Sequence, residues 1–360
     1  MMSDMNIVRP LFFLLVIGMT AIFSSCDKGK GDEDLPKKTG VLITNEGNFS
    51  FGNGSVSFYD EESMTVTNNV IKNANDGAEI GALVQSIYQH DGIGYLLCND
   101  TDKIEFFSLD NYRFLANPED NIAVPRYMTV VGDKGYVTCW GPYDDNYGLP
   151  DSYIAVLDLA AKLVVDTLDC GSGPEGIFAL NNKLFVANSF ETTVSVIDLS
   201  DHSETKINFD AAPQYLVPDG QGNIWISLAS GWLFPAEKSG IQSINASTLE
   251  KGSFVHTLDV EGAMAINATG EKIYLLTAQI YPETGTAILE FNTSTKSFVE
   301  EPLITGDNFY GIGYNVTTDK IYVSDSKAFS GPGQIYVYDA TGMLLNDQVT
   351  GIGPNGFVFK

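Results

Sequence analysis

Positive charge is scarce in this chain. Lysine and arginine together number 20 against 46 aspartates and glutamates, which gives a formal net charge of -26. Proteins that bind nucleic acid gain much of their affinity from basic side chains on phosphates, so the sequence predicts no nucleic-acid partner. Cysteine is also rare. Beyond Cys26 there are only Cys98, Cys139 and Cys170, an odd number that favours buried free thiols over a disulfide framework.

A long hydrophobic run is missing as well. The most apolar stretch, Leu11 to Phe23, follows Arg9 and is shorter than the roughly 18 residues that a membrane span needs. It is therefore predicted to be part of a signal peptide, residues 1–25. Cys26 directly after it resembles the lipidated cysteine of bacterial lipoproteins, which implies a lipid anchor as the only membrane contact.

Residues 26–39 are polar and charged, without an apolar period, and are predicted to form a flexible tether. The acidic cluster in this tether resembles the surface-export signal of lipoproteins in the Bacteroides group. That resemblance implies an outer-membrane protein that faces the cell exterior. The folded domain is predicted to cover residues 40–360.

Within this domain one sequence pattern repeats: an apolar run, a polar break and a second apolar run. An aromatic residue marks the first run of six copies, and Leu42 takes that place in a seventh. The six aromatic markers, 40 to 49 residues apart, are Tyr95, Tyr136, Phe185, Trp225, Tyr274 and Tyr322. This period is typical of propeller blades, and the alternating, β-branched runs favour strands over helices.

Each repeat is interpreted as four strands, a to d. In the fourth copy these are GIFAL, LFVAN, VSVIDL and ETKINF, with Asn181 and Asn182 at the turn between the first two. The first copy lacks strand a, and NGFVFK after Pro354 is predicted to supply it. The sequence thus predicts an all-β protein, a single seven-bladed β-propeller whose first blade is closed by the C-terminal strand.

The connections between strands b and c vary most, and in such a blade they share one face with the d to a connections. They carry most of the loop aromatics: Phe49, Phe51, Trp140, Tyr143, Tyr147, Phe190, Trp232, Phe234, Tyr281 and Phe329. Aromatics gathered on one face predict a binding surface. The alternative for each is that it covers the end of its blade. Trp225, in the marker column, is predicted to be core.

A second set of candidates lies where strand a begins, at the mouth of the central channel. Around blades one to seven this column contains Asn355, Gln85, Arg126, Glu175, Gln214, Ala263 and Gly311. Its five polar members are predicted to bind the ligand. Arg126 is one of only three arginines, and it is expected either to pair with Glu175 or to contact the ligand directly.

Signs of catalysis are few. His90, His202 and His256 are assigned to an a–b turn, a c–d turn and a strand d, where they cannot readily converge as a metal site or a triad requires. GIGPNG at Gly351 precedes a strand and no helix, so it is interpreted as a turn. Neither Asp144 with Asp145 nor Asp100 with Asp102 completes an EF-hand loop, and calcium binding there stays open. We therefore expect no enzyme, no metal and no cofactor.

The phrases ITNEGNF, YV-x-N with V-x-VIDL, and the ending YDATGMLLNDQVTGIGPNGFVFK resemble the YncE-like propeller lipoproteins of Bacteroides-type bacteria. This resemblance implies capture of cobalamin or a related corrinoid for a TonB-dependent outer-membrane transporter of the BtuB type. Two other hypotheses stand beside it: a non-catalytic protein-docking propeller in a cell-surface complex, and a lactonase or lyase with catalytic groups at the channel mouth.

Overall fold

The computed structural model describes residues 39–49, 51–81, 83–229, 238–257, 260–277 and 285–360. Its strands form seven antiparallel sheets, one for each predicted repeat. All seven marker residues lie in the second strand of their blade and are buried. The seven-bladed propeller is therefore confirmed, and Trp225 is core as predicted.

The first four blades have these strands. Blade 1 contains β1 (Gly40–Asn45), β2 (Ser55–Asp60), β3 (Thr65–Thr67) and the C-terminal β28 (Pro354–Phe359). Blade 2 contains β4 (Val84–His90), β5 (Ile93–Cys98) and β6 (Lys103–Ser108). Blade 3 contains β7 (Pro125–Val131), β8 (Lys134–Cys139), β9 (Tyr153–Asp158) and β10 (Leu163–Asp169). Blade 4 contains β11 (Pro174–Leu180), β12 (Lys183–Asn188), β13 (Thr193–Asp198) and β14 (Glu204–Asn208).

The last three blades follow the same order. Blade 5 contains β15 (Ala212–Pro218), β16 (Asn223–Ala229), β17 (Gly240–Asn245) and β18 (Val255–His256). Blade 6 contains β19 (Val260–Ile266), β20 (Lys272–Thr277), β21 (Thr286–Asn292), β22 (Ser297–Phe298) and β23 (Ile304–Gly306). Blade 7 contains β24 (Phe309–Asn315), β25 (Lys320–Asp325), β26 (Pro332–Asp339) and β27 (Leu344–Ile352). The described residues also contain the helix α1 (Val70–Ala74) and a 3₁₀ turn (Lys327–Phe329).

The C-terminal strand closes the ring as predicted. β28 pairs antiparallel with β1, with Ile43 opposite Phe357 and Val41 opposite Phe359. The rings of Phe357 and Phe359 pack 5.8 and 5.3 Å from the ring of Tyr322 in blade 7. The strand therefore links the first blade to the last through both hydrogen bonds and aromatic contacts.

Local sequence explains the turns between strands a and b. In blade 4 Asn181 and Asn182 have φ angles of 52° and 60°, the conformation of a two-residue type I′ hairpin, which asparagine tolerates well.

The core lies between the blades. Tyr95 and Phe106 of blade 2, for example, pack in one buried cluster with Val137 and Leu157 of blade 3.

Two blades depart from the four-strand pattern. Blade 2 has no regular outer strand in its described residues; only single bridges join Ile104 to Glu119 and Phe107 to Phe114. The side chain of Asn75, just after α1, bonds the backbone of Tyr112 and Phe114, and thereby holds this segment without a ladder. In blade 6 the outer strand is split into β22 and β23 around Pro302, which cannot donate a ladder hydrogen bond.

Candidate functional site

A β-bulge at the start of strand a in every blade builds the mouth of the channel. The pairing of strands a and b shifts register there in all seven sheets. In blade 3, for example, the shift falls between Pro125 and Met128. A bulge turns the side chains of neighbouring residues away from strict alternation. Arg126 and Tyr127 accordingly both line the channel.

These bulges surround a cavity of about 520 Å³. Six members of the predicted column line this cavity: Asn355, Gln85, Arg126, Glu175, Gln214 and Ala263. Gly311 does not, although Tyr310 and Ile312 on either side of it do. A Cβ atom at Gly311 would overlap the backbone oxygen of Asn355, so this position serves close blade packing. We call this space the upper cavity.

Arg126 and Glu175 pair at the rim of the upper cavity. The guanidinium donates from Nε to Oε2 of Glu175 at 2.9 Å and from Nη2 to Oε1 at 2.8 Å. Their side chains are 14% and 5% exposed. Burial alone would lower the pKa of Arg126, but the Glu175 carboxylate raises it above its ordinary value, so the guanidinium stays charged. Of the two alternatives predicted for Arg126, the ion pair between blades 3 and 4 is present.

Aromatic side chains from two loops continue this pair outward. The Arg126 guanidinium lies 4.1 Å from the ring centre of Trp140, a cation–π contact. Phe190 meets Trp140 edge to face at 5.3 Å, and Tyr143 lies 6.3 Å from Trp140. Trp140 and Phe190 line the upper cavity, and Tyr143 is half exposed beside them. We call these three residues the aromatic cluster.

A glycine permits this arrangement. Gly173 has a φ of +63°, and a Cβ atom there would come within 2.5 Å of Cδ2 of Phe190. The turn before β11 therefore needs glycine both for its left-handed backbone and for the ring that lies against it. The sequence places Phe190 and Gly173 in different loops of blade 4, and the fold brings them together.

Glu46 is the second acid that lines the cavity. Its carboxylate accepts hydrogen bonds from the hydroxyl of Tyr310 at 3.1 Å and from Nδ2 of Asn355 at 3.1 Å. Burial raises the pKa of Glu46, although the bonds from Tyr310 and Asn355 and the charge of Arg126 act against that rise. The same Asn355 side chain also bonds Thr44 and the backbone oxygen atoms of Val84 and Gln85, so the closing strand helps to shape the cavity.

Two tyrosines of the cavity lining contact each other. The hydroxyls of Tyr127 and Tyr215 lie 3.0 Å apart, and Nε2 of Gln85 donates to Tyr127 at 3.2 Å. Burial raises the pKa of Tyr127 to about 12 and that of Tyr215 well above its usual value, so both stay neutral donors. Sequence reasoning missed these tyrosines and Glu46 and Tyr310. The only available signal in the sequence was that a tyrosine directly follows two residues of the column, Arg126 and Gln214.

The remaining predicted aromatics do not converge on this cavity. Phe49, Phe51 and Tyr147 are 70, 79 and 81% exposed, and none of them lines it. Phe329 packs edge to face on Tyr310 at 5.3 Å and so covers the end of its blade. The assignments of Trp232, Phe234 and Tyr281 to the ligand site, and of Cys26 to lipidation, fall on residues outside those that the structure describes.

Other polar candidates have structural roles. Oδ1 of Asp144 accepts from the backbone N–H groups of Asn146 and Gly148, and Oδ1 of Asp102 accepts from that of Val124. Within the described ranges, no three His, Cys, Asp or Glu side chains gather as a metal site would require. Cys98 and Cys139 are free and buried as predicted, whereas Cys170 is free but only partly buried. No helix in the described part of the chain has the length and apolarity to cross a bilayer.

The architecture defines a seven-bladed propeller with a polar cavity at the channel mouth and aromatics beside it. The chain belongs to DUF5074, a family of domains of unknown function, whose model matches residues 39–354. No curated protein matches the sequence.

Solved structures of similar fold come from several bacteria. A quinonprotein alcohol dehydrogenase-like protein of Bacteroides thetaiotaomicron is 17% identical, with a TM-score of 0.66 over 90% of this chain and 78% of its own. A protein of Lactobacillus plantarum is 16% identical, with a TM-score of 0.65 over 90% and 99%. A Bacteroides fragilis protein provisionally named 6-phosphogluconolactonase is 12% identical, with a TM-score of 0.64 over 91% and 100%. At these identities the likeness concerns the fold alone.

Proposed function

We propose that this protein captures cobalamin or a related corrinoid on its loop face and passes it to a TonB-dependent transporter of the BtuB type. In this proposal it is a lipid-anchored protein on the outer surface of the outer membrane, similar to BtuG among the YncE-like propeller lipoproteins. The supporting observation is the upper cavity with the aromatic cluster at its rim. Its volume of about 520 Å³ lies in the usual range for ligand pockets.

The chemistry of this site suits a corrinoid. A corrin is a flat, largely apolar ring with amide groups around its edge, and it is larger than the upper cavity. The aromatic cluster offers ring faces for the apolar body. Glu46 offers acceptor atoms and Gln85 offers a fixed amide group within the cavity, which an amide group of the ligand can match.

We further propose that the protein binds without turnover. Of the described residues that line the upper cavity, Arg126 is the only cation, and its charge is already neutralised by Glu175. A lactonase for a phosphorylated sugar lactone, the activity in the name of one structural neighbour, would need free positive charge for its substrate. This arrangement favours binding of an uncharged group over such catalysis.

The experiment is a titration of the purified protein with cyanocobalamin, followed by tryptophan fluorescence and by heat. We expect saturable one-to-one binding that Trp140→Ala weakens at least tenfold, because it removes the centre of the aromatic cluster. Val165→Ala, an exposed site on the outer strand of blade 3, is the matched control and should bind as wild type. Absence of both heat and quenching at micromolar protein would refute corrinoid capture.

A second function, docking of another protein, is favoured by a separate observation. Phe49, Phe51 and Tyr147 are more than two-thirds exposed. Such exposure of large aromatic side chains is typical of a surface that binds another protein. In this alternative, the same face holds a protein of a cell-surface complex. Cross-linking on intact cells would test it, and Phe51→Ser with Tyr147→Ser should abolish the cross-link while leaving cyanocobalamin affinity unchanged.

A further inference from the structure

The charged groups around the upper cavity do not favour the binding of an anion. Its described lining contains one cation, Arg126, and two acids, Glu46 and Glu175. Glu175 takes two hydrogen bonds from Arg126 and compensates its charge in full. The whole chain also carries a formal charge of -26, so no long-range field attracts anions to this face.

The guanidinium nevertheless keeps one donor edge for a ligand. Nε and Nη2 face Glu175, and Cζ lies 4.1 Å from the ring centre of Trp140. Among the described residues, no group accepts a hydrogen bond from Nη1 of Arg126. Because the pair with Glu175 and the ring of Trp140 fix its orientation, this edge is a preorganised donor for one acceptor atom.

We propose that Glu175 determines the charge selectivity of the upper cavity: it orients Arg126 as a hydrogen-bond donor and cancels its charge, so that the site accepts an uncharged carbonyl group and rejects a carboxylate or phosphate. The uncharged group is a carboxamide or one of similar shape. This inference rests on the proposed function in one respect, that the upper cavity is a ligand site, but it does not require the ligand to be a corrinoid.

Two physical arguments support the inference. A carboxylate placed at Nη1 would lie near the carboxylate of Glu175 in a partly desolvated space, where like charges repel strongly. An amide oxygen there makes a hydrogen bond to a charged donor without that repulsion. Burial also raises the pKa of Glu46 in the same lining, because a negative charge is poorly solvated there.

The test uses benzamide and benzoate, two probes of nearly the same shape that differ in charge. Their dissociation constants are measured by ligand-observed NMR at pH 7.5 in 0.15 M salt. Wild type is expected to bind benzamide at least tenfold more tightly than benzoate. Glu175→Gln, which keeps the shape and one acceptor but releases the charge of Arg126, should reduce this ratio at least fivefold or invert it.

Two further variants separate local charge from other effects. Glu191→Gln removes one negative charge from a loop of the same blade, from a residue that does not line the cavity, and should leave the ratio unchanged. Glu175→Asp keeps the charge and should keep the preference for benzamide. Circular dichroism verifies that each variant is folded. If Glu175→Gln does not fold, equal affinity of wild type for the two probes still overturns the inference.

The outcomes distinguish this inference from the proposed function. Equal affinity of wild type for both probes, binding of neither, or an unchanged ratio in folded Glu175→Gln overturns the inference. Selective binding of benzamide without any binding of cyanocobalamin supports the inference and refutes corrinoid capture. Binding of cyanocobalamin without discrimination between the probes supports capture and refutes the role of Glu175.

Discussion

The hydroxyl of Thr138 donates a hydrogen bond to the backbone oxygen of Glu175 on the next blade, at 2.9 Å. The backbone N–H of Tyr127 in turn donates to the Thr138 hydroxyl at 3.0 Å. Ser227 bonds Gly262 and Ser324 bonds Pro354 in the same way, at 2.8 and 2.7 Å. Each of these three hydroxyls lies on strand b, two residues after a marker aromatic. It bonds that strand to the β-bulge of the next blade.

Thr138→Val is expected to destabilise the protein strongly. It keeps the size of the side chain but leaves the buried carbonyl of Glu175 and the N–H of Tyr127 without partners, at a cost of about 3 kcal/mol in the free energy of unfolding. Urea denaturation measures the loss. Thr205→Val on the exposed outer strand β14 is the control and should change stability little; an equal effect of both variants would contradict a special role for Thr138.

The pair of Arg126 and Glu175 should behave as a buried pair. Removal of one partner, in Arg126→Met or Glu175→Leu, leaves a buried charge alone and should lower the free energy of unfolding by about 3 to 5 kcal/mol. The double variant should recover most of this loss, because no charge is then left unpaired. Lys206→Met breaks the more exposed pair with Glu191 and should cost less than about 1 kcal/mol. Strictly additive losses in the double variant would show that the pair does not act as a unit.

Glu46 should make stability depend on pH. Because burial raises its pKa above the ordinary 4.5, the folded state binds this proton more tightly than the unfolded state. The stabilising contribution of the protonated form is therefore complete below pH 4.5 and is lost as pH rises through the raised pKa. The free energy of unfolding of wild type, relative to that of Glu46→Gln, should therefore fall as the pH rises across that range. Urea denaturation at several pH values checks this, and a constant difference would argue against it.

The blade pattern was predictable because each strand carries its own signal. The marker aromatics and the Asn181–Asn182 turn both act locally, and both lie where the sequence placed them. The closing strand was predictable for a different reason. A blade that lacks its first strand leaves an unpaired edge, and only the C-terminus had a strand left to supply.

The cavity was only partly predictable. The column from Asn355 to Ala263 repeats with the blades, so the fold positions it. Tyr127 and Tyr215 follow column residues and would point away from the channel in a regular strand; the bulges reverse this, and a bulge has no clear sequence signal here. Glu46 belongs to a loop, and its approach to Tyr310 joins positions 264 residues apart. Long-range contacts of this kind depend on ring closure, which no local pattern encodes.

Gly173→Ala offers a direct test of how the aromatic cluster is held. The new Cβ atom would lie within 2.5 Å of the Phe190 ring, and the alanine would also have to adopt a φ of +63°. The backbone strain alone costs about 1 to 2 kcal/mol, and displacement of Phe190 from Trp140 should add to it and reduce the near-ultraviolet circular dichroism of the aromatics. Gly220→Ala is the matched control, because its φ is +71° and nothing lies within 4 Å of the added atom. It should show the strain but keep the aromatic signal and the affinity for cyanocobalamin. If both variants lose the same stability and both keep the signal, then the contact between Gly173 and Phe190 does not hold the cluster in place.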